Sequence, residues 1–395
     1  MLTSKYHGGS AKIENEVVSE RNNSSENHDR IVEELNFVLF ALRSSFRQGV
    51  SETAGCHRDI AAQRRIFTVA SENKIVKLTA AGLSRNGGQE EHGWFLEAAD
   101  GYSRTVLGRN LVLLSEVAAV MRHFTARQIP ATVMKGPLQQ KILYGDFFIR
   151  PAADIDILVA HRHFRKATDA LLELQYEQLA ESRSIWWRWF LGEQHLVRRG
   201  DRPVSVDLHH RVQQPGSPAP VDTRAFLSGS EPVAFRSEQL PALSREDVPL
   251  LSAISIVKAL YNREAVGSHI CDLYRAVGFD TAALASFLAR AEKQDIAGTA
   301  FAALRIVSIA FDHDFGDLQP KVASALKNIS DEDLLLMTFV PAATTLVWPK
   351  RRQILWALCA GDVRRYLREA CWVLTSEACR RLVEPAPPSE GAPGT

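Results

Sequence analysis

The feature that most constrains the fold of this chain is a change of hydrophobic pattern at Pro130. Before it, from about Ile31 to Phe124, apolar residues recur at the three-and-four spacing of amphipathic helices. After it, short apolar runs alternate with helical segments. Three of these runs predict strands, at 131–134, 155–159 and 204–208. Strands that alternate with helices indicate a mixed sheet unit of roughly 80 residues.

The same pattern divides the chain into five expected segments. The polar start, which ends NNSSENHDR, and the Pro- and Gly-rich end, EPAPPSEGAPGT, have little to bury. The expected segments are a disordered N-terminus (1–29), a helical region (30–128), an α/β core (129–212), a second helical region (213–383) and a disordered tail (384–395). The predicted fold class is therefore α+β, a small mixed-sheet core embedded in N- and C-terminal helical regions.

Composition narrows the functional classes. Lys and Arg together number 47 and Asp and Glu 46, so a net charge of +1 gives no strong nucleic-acid signal. The five cysteines are an odd number without a Cys-x-x-Cys pair, which argues against a disulfide scaffold or zinc ribbon and favours a cytoplasmic location. No uninterrupted run of about 18 apolar residues occurs, so we expect no membrane span.

Two aspartates in the second predicted strand are the first candidate site. Alternate residues of a strand share a face, so Asp154 and Asp156 project together while Ile155 and Ile157 pack inward. Adjacent carboxylates repel each other unless a cation lies between them, and Mg²⁺ prefers such oxygen ligands. The pair alone is equally consistent with two solvated aspartates at the end of an edge strand.

A third carboxylate lies in the last predicted strand. Asp207 and His209 share a face there, opposite Val206 and Leu208. If this strand pairs with the strand of Asp156, three carboxylates converge. Such an arrangement can hold two metals roughly 3.5–4 Å apart, the geometry of in-line phosphoryl or nucleotidyl transfer.

Positive charge and a glycine turn supply candidate phosphate contacts. Gly136 lies between a strand and a helix, where the backbone can approach a phosphate, and Lys135 adds a charge. A purely steric role for this glycine remains an alternative. Arg150 precedes the aspartate strand and could reach a phosphate, or could instead pair with Asp146 or Asp154.

Four further features have two interpretations each. His195 and His209 are candidates to contact substrate or orient a carboxylate, although packed or surface histidines are commoner. The aromatic run 186–190 could stack a base or a sugar, but we favour a place in the core, or a contact between the α/β unit and the helices. The run 312–314, Asp-His-Asp, is expected to be a polar helix end closed by Gly316 rather than a metal site.

The order of these elements resembles the uncharacterised nucleotidyltransferase family of the polymerase-β-like nucleotidyltransferase superfamily. The resemblance rests on Lys135-Gly136, Tyr144, Arg150-Pro151, Asp154-Ile-Asp156 and Asp207-Leu-His209. It extends more loosely from about Ile31 to Phe315, including Asn110 and Asp272. The resemblance implies a small mixed sheet, dependence on Mg²⁺ with Mn²⁺ as a substitute, and transfer of a nucleoside monophosphate from a nucleoside triphosphate.

The resemblance also implies roles for individual residues. Asp154 and Asp156 match the paired metal ligands of the superfamily, and Asp207 matches its third carboxylate. Lys135-Gly136 occupies the turn where the superfamily usually has Gly-Ser. This chain departs from that pattern, because Pro137 supplies neither a hydroxyl nor a backbone donor at the turn.

The sequence therefore predicts a Mg²⁺-dependent nucleotidyltransferase whose acceptor is deprotonated near Asp207. The acceptor could be a small molecule, a glycan, a peptide or a protein. Two alternatives stay open. One is a non-catalytic nucleotide-binding accessory protein on the same fold, which the missing Ser after Gly136 supports. The other is a metal-dependent phosphohydrolase using the same carboxylates.

Overall fold

A seven-stranded mixed sheet lies at the centre of the computed structural model, which describes residues 24–47, 59–85 and 91–384. The strands are β1 (Ala131–Val133), β2 (Ile155–Val159), β3 (Glu177–Gln178), β4 (Glu193–Arg198), β5 (Val204–His209), β6 (Glu231–Phe235) and β7 (Glu238–Ala242). Their order across the sheet is β3-β4-β5-β2-β1-β7-β6. With helices before and after the sheet, the predicted α+β class is confirmed.

Helices make up most of the rest of the described chain. The first eight are α1 (Ser24–Phe46), α2 (Ile60–Glu72), α3 (Val76–Arg85), α4 (Gly93–Ala126), α5 (Pro137–Tyr144), α6 (Phe164–Glu173), α7 (Thr223–Ser228) and α8 (Val248–Asn262). The others are α9 (Gly267–Val277), α10 (Thr281–Lys293), α11 (Ala297–Phe311), α12 (Gln319–Ser324), α13 (Asp331–Phe339), α14 (Arg351–Leu358) and α15 (Val363–Val383). None of the described helices has the length and apolar character that crossing a bilayer requires.

Both ends of the chain were expected to be disordered. Residues 1–23 and 385–395 lie outside the described residues. Helix α1 begins at Ser24, so the last six residues of the expected N-terminal segment are helical.

One face of the sheet is covered by the second half of α4. Leu114, Val117, Met121 and Phe124 were predicted to share a helical face, and all four are buried in the core that also contains Ile157. Burying such an apolar stripe against a sheet is the main source of stability for a helix in this position. It also leaves the opposite face of the sheet, with the even-numbered residues of β2, for the candidate site.

The sheet continues beyond residue 212, within the segment expected to be helical. Strands β6 and β7 pair antiparallel, and β7 joins β1 in parallel through Val133 and Ala242. The sequence pattern did not predict them because each contains a proline, Pro232 and Pro241, which weakens a strand signal. Proline is tolerated towards a sheet edge, where fewer backbone donors need a partner.

Candidate active site

Three neighbouring strands place polar side chains on one face of the sheet. Strands β2 and β5 are parallel neighbours, and Asp156 lies directly opposite Asp207. Strand β4 is antiparallel to β5, which sets His195 opposite Asp207 and Glu193 opposite His209. Because residues two apart share a face, all five side chains belong to one surface. The side-by-side pairing on which the carboxylate prediction depended is therefore present.

Three of these side chains form a set of candidate metal ligands. One ligand atom from each of Asp156, Asp207 and His209 lies within 4.8 Å of the others. His209 Nε2 is 3.3 Å from Asp156 Oδ1, and its Nδ1 is 3.4 Å from Glu193 Oε2. This Nε2 atom is buried and has no hydrogen bond within the described part of the chain. An imidazole nitrogen beside two carboxylates fits a divalent cation.

Asp154 lies just before β2 and is outside that set of three, but it acts on the set electrostatically. Burial raises the pKa of Asp154, and the charge of Asp156 raises it further. Burial also raises the pKa of Asp207 to about 7, and the charges of Asp154 and Asp156 add to this rise against the opposing effect of His195. The three aspartates are thus a cluster of mutually repelling carboxyl groups.

Lys135 offsets part of this negative charge. Its Nζ is 3.8 Å from Asp156 Oδ1. Burial alone would raise the pKa of Asp156, but the charge of Lys135 and the contact with His209 hold this pKa well below its ordinary value. Burial would likewise lower the pKa of Lys135, yet the charges of Asp156 and Asp154 raise it. Lys135 is therefore charged and faces the carboxylates.

The turn that presents Lys135 depends on the next residue. Gly136 has a φ of +76°, which side-chain-bearing residues rarely adopt, and it caps the N-terminus of α5. Pro137 follows at the start of the helix, a position at which proline loses no intrahelical hydrogen bond. The glycine is thus explained by backbone conformation, with or without a phosphate beside it.

His195 links Asp207 to Glu193, a buried acid that the sequence analysis missed. The Nε2 atom of His195 is 3.6 Å from Asp207 Oδ2 and 3.7 Å from Glu193 Oε1. Burial would lower the pKa of His195, but its contacts with Glu193 and Asp207 raise it. Trp187 packs edge-on against the imidazole at 4.6 Å. Glu193 and His195 are two residues apart, a spacing that places both on one face of a strand, and this was the sequence pattern that could have predicted β4.

A cavity of about 180 Å³ adjoins the carboxylates and contains three lysines. Lys135 lines it from the turn after β1, Lys258 from α8, and Lys74 from the turn after α2. Two acids, Glu72 and Glu264, also line the cavity. Lys74 and Lys258 were not predicted, because they belong to helical segments far from the strands in sequence. Only the packing of these segments brings their charges beside Lys135.

Arg150 does not take the position expected of a phosphate ligand. Its side chain is buried, and Nη1 donates to Asp272 Oδ1 at 2.5 Å. The hydroxyl of Tyr144 donates to the same oxygen at 2.9 Å. Burial alone would raise the pKa of Asp272, but the charge of Arg150 lowers it to about 2. Asp146, one of the partners considered for Arg150, instead pairs with Lys77 at 2.8 Å.

Two buried amides fix the loop that leads to the aspartate strand. Gln140 Oε1 accepts hydrogen bonds from the backbone N–H groups of Ile149 and Arg150 at 2.8 and 3.0 Å. Asn110 Nδ2 donates to the carbonyl of Arg150 at 2.9 Å, and its Oδ1 accepts from the N–H of Ala152 at 3.1 Å. These bonds satisfy buried backbone groups that have no strand partner. Together with the pair of Arg150 and Asp272, they set the position of Asp154.

The aromatic run 186–190 packs against the C-terminal helix, as favoured from the sequence. Trp186 Nε1 donates to Ser376 Oγ at 2.9 Å, and the rings of Phe190 and Trp372 are 4.6 Å apart. Trp187 instead packs against His195, and Trp189 has 61% of its surface exposed. The cluster is therefore mainly a contact between the α/β unit and α15.

The run 312–314 is a helix end, as predicted. Helix α11 stops at Phe311, and Asp312 adopts a left-handed conformation at its C-cap. Asp314 Oδ1 accepts a hydrogen bond from the N–H of Gly316 at 2.9 Å, and Gly316 turns the chain with a φ of +60°. These residues are explained by the turn.

Comparison with known protein families gives the class of nucleotidyltransferases. The family is described as uncharacterised nucleotidyltransferase, and its model matches residues 61–312. The match covers more than half of the chain, so the chain belongs to this family, and the resemblance seen in the sequence is confirmed. No curated protein sequence matches the chain.

Proposed function

We propose that this protein transfers a nucleoside monophosphate from a nucleoside triphosphate to an acceptor, with a divalent cation. The observation that carries the proposal is the pairing of Asp156 with Asp207 on the sheet face beside a cavity with three lysines. Carboxylates that bind a cation and lysines that bind phosphates are the two parts that phosphoryl-type transfer requires. Membership of a nucleotidyltransferase family supports the reaction class.

The cation would be held by Asp156, Asp207 and His209, with Asp154 beside them. When bound, a divalent cation would neutralise triphosphate charge and activate the attacking oxygen. Mg²⁺ is the expected ion from the family resemblance. The imidazole in this donor set also suits Mn²⁺, because transition metals accept nitrogen ligands more readily than Mg²⁺ does.

Asp207 is the residue that we assign to the acceptor side. Its carboxylate, beside the cation, would take the proton of an attacking hydroxyl or amine. His195, 3.6 Å away, would orient the Asp207 carboxylate. Glu193 holds His195 from its other side and therefore acts through it.

The triphosphate would occupy the cavity with Lys74, Lys135 and Lys258. These lysines supply the positive charge that the turn at Gly136, which lacks a following hydroxyl, does not provide. Placing fixed positive charge around phosphates lowers the cost of the charge that develops during transfer. Arg150 is assigned a supporting role, because its guanidinium is bonded to Asp272.

The accessory-protein alternative has one specific observation in its favour, the Gly136-Pro137 turn. Proline at the start of α5 leaves one backbone donor fewer for a triphosphate. This alternative predicts nucleotide binding without chemistry. The lysine cavity is compatible with both functions, so the reaction itself must be measured.

The test uses nucleoside triphosphates labelled separately at the α- and γ-phosphates, with Mg²⁺ or Mn²⁺ and cell extract as the source of acceptor. We expect the α-label to move to an acceptor while pyrophosphate is released. Movement of the γ-label, or release of inorganic phosphate without an acceptor, would indicate a kinase or a phosphohydrolase instead. Binding without release of either product would support the accessory protein. Asp207→Asn should abolish transfer, and Asp201→Asn, an exposed aspartate before β5, should not.

A further inference from the structure

A second and larger cavity lies in the C-terminal helices, away from the carboxylates. Its volume is about 510 Å³, and it lies between α12, the loop 325–330 and α14. Most of its lining follows residue 312, where the match to the family ends. Ligand sites of proteins typically occupy about 300–1,000 Å³, so this cavity is large enough for a small organic molecule.

The walls of this cavity, which we call the C-terminal cavity, are largely apolar. Phe301, Leu326, Ile329 and Ile354 line it, together with the indole of Trp356, which is 42% exposed. A partly exposed tryptophan beside buried aliphatic groups offers a flat surface on which a ring or chain can be desolvated. The walls therefore favour a ligand with an apolar or aromatic body.

The charged side chains that line the C-terminal cavity are all positive. Lys321 and Lys327 both line it, and none of the described lining residues is acidic. Asp331, which follows the loop, is bonded to Arg305 at 2.8 Å and is not among the lining residues. Two lysines over apolar walls create a positive potential that attracts an anion.

A buried arginine holds the loop of the cavity in place from beneath. Arg305 donates from Nη1 to the carbonyl of Ala325 at 2.6 Å and from Nη2 to the carbonyl of Ile329 at 3.1 Å. It therefore ties both ends of the segment that carries Lys327. A loop fixed before binding loses less conformational freedom when a ligand binds.

The backbone on both sides of the cavity adopts conformations that side-chain-bearing residues rarely take. Leu326 has a φ of +51° and Ala360 a φ of +52°. Nearby, a Cβ atom at Gly298 would lie 1.9 Å from the carbonyl oxygen of Leu358, so α11 and α14 cross in direct backbone contact. Strained residues of this kind persist only where surrounding packing fixes them, and they occur often at ligand sites.

We propose that the C-terminal cavity binds a small organic anion with an apolar or aromatic body, at a site separate from the nucleotide site. The anionic group lies between Lys321 and Lys327, and the body packs against Trp356 and Phe301. The proposal is independent of the transfer reaction, because the cavity shares no lining residue with the lysine cavity beside the carboxylates.

The test measures binding of naphthalene-2-carboxylate to the full chain by isothermal titration calorimetry. We expect saturable binding of one molecule, at least tenfold tighter than that of the neutral naphthalene-2-carboxamide. The double variant Lys321→Gln/Lys327→Gln should remove this preference for the anion. Lys293→Gln, which removes an exposed lysine of α10, should leave it unchanged. Thermal melts of each variant establish that the fold is retained.

Two further variants separate the C-terminal cavity from other sites. Ala357→Phe fills the cavity from α14 and should weaken the binding of both probes at least tenfold. Lys135→Ala alters the nucleotide site and should leave both affinities unchanged. Absence of saturable binding to the wild type would overturn the proposal. So would equal affinity for the two probes, or loss of binding in Lys135→Ala with full binding in Ala357→Phe.

Discussion

Two clusters of charged side chains lie close together in this protein, and they differ in how their charges are satisfied. In the supporting cluster, Arg150 and Asp272 are 7% and 0% exposed and are bonded to each other. In the carboxylate cluster, Asp156 and Asp207 are 13% and 19% exposed and repel each other. The two opposite charges of the first cluster pair with each other without a ligand, whereas the carboxylates of the second cluster carry like charges that a cation would offset.

This difference assigns roles within a single stretch of sequence. Arg150 and Asp154 are four residues apart, and both belong to the motif that resembles the family. Burial and partners separate them, since a buried charge without a partner is costly and a partly exposed cluster of like charge is open to a cation. The two clusters should therefore respond differently to substitution and to pH.

The largest expected effect is on stability and lies in the supporting cluster. Arg150→Met leaves the Asp272 carboxylate buried without its ion pair, and we expect a loss of about 3–5 kcal/mol in the free energy of unfolding. Denaturant titration measures this loss. The double variant Arg150→Met/Asp272→Leu should recover a large part of it, because no buried charge remains. Arg104→Met, which breaks an exposed pair, is the control. If Arg150→Met lowers the free energy of unfolding as little as Arg104→Met does, the buried pair does not stabilise the fold.

The next effect is on turnover and lies in the carboxylate cluster. Asp207→Asn should lower transfer at least about 10²-fold, a loss typical of removing a group that stabilises developing charge. Its free energy of unfolding in metal-free buffer should not fall, because a like charge is removed. Rate measurements and denaturant titration on the same preparation check both statements. Loss of stability with unchanged turnover would show that Asp207 has a structural role and does not take part in the reaction.

A smaller effect is expected for nucleotide affinity. Lys135→Ala should weaken binding of a nucleoside triphosphate about tenfold, the effect of losing one charge-assisted contact. Equilibrium binding in the presence of Ca²⁺ as a non-reactive cation measures it. Lys166→Ala, an exposed lysine of α6, is the matched control. If Lys135→Ala lowers the melting temperature and leaves affinity intact, the role of Lys135 is to neutralise Asp156.

The smallest effect is on the pH dependence of stability, and its sign differs between the clusters. The pKa of Asp207 in the folded protein is about 7, above its ordinary value of 3.8. The folded state therefore binds more protons than the unfolded state between about pH 4 and pH 7. Without metal, the contribution of Asp207 should lower the free energy of unfolding as pH rises through this interval.

Asp272 should act with the opposite sign in another interval. Its pKa of about 2 lies below the ordinary value, so its stabilising contribution is present above about pH 4 and is lost as pH falls towards 2. Unfolding titrations from pH 2 to 8 in the presence of a chelator separate the two intervals. Asp207→Asn should remove the decline in the free energy of unfolding between pH 4 and 7 and should leave the loss towards pH 2 unchanged. A decline of equal size in that variant would show that another group causes it.

Local pattern in the sequence was sufficient for several elements of the site. The period of two in a strand places Asp207 with His209 on one face of β5. The apolar spacing in α4 likewise predicted which of its residues are buried. Strand β4 shows where pattern was too weak, because Glu193 and His195 give it polar residues on the site face.

The sequence by itself thus determined the sheet-and-helix class, the strands that carry Asp156 and Asp207, and the glycine turn after Lys135. The tertiary structure decided which of these groups meet. It set Asp156 opposite Asp207 and paired Arg150 with Asp272. It also brought Lys74 and Lys258 to the cavity that Lys135 lines. The physical reason is the difference between local and long-range interactions. Backbone periodicity fixes the direction of a side chain from its nearest neighbours, whereas contacts between segments distant in sequence depend on how whole helices and strands pack.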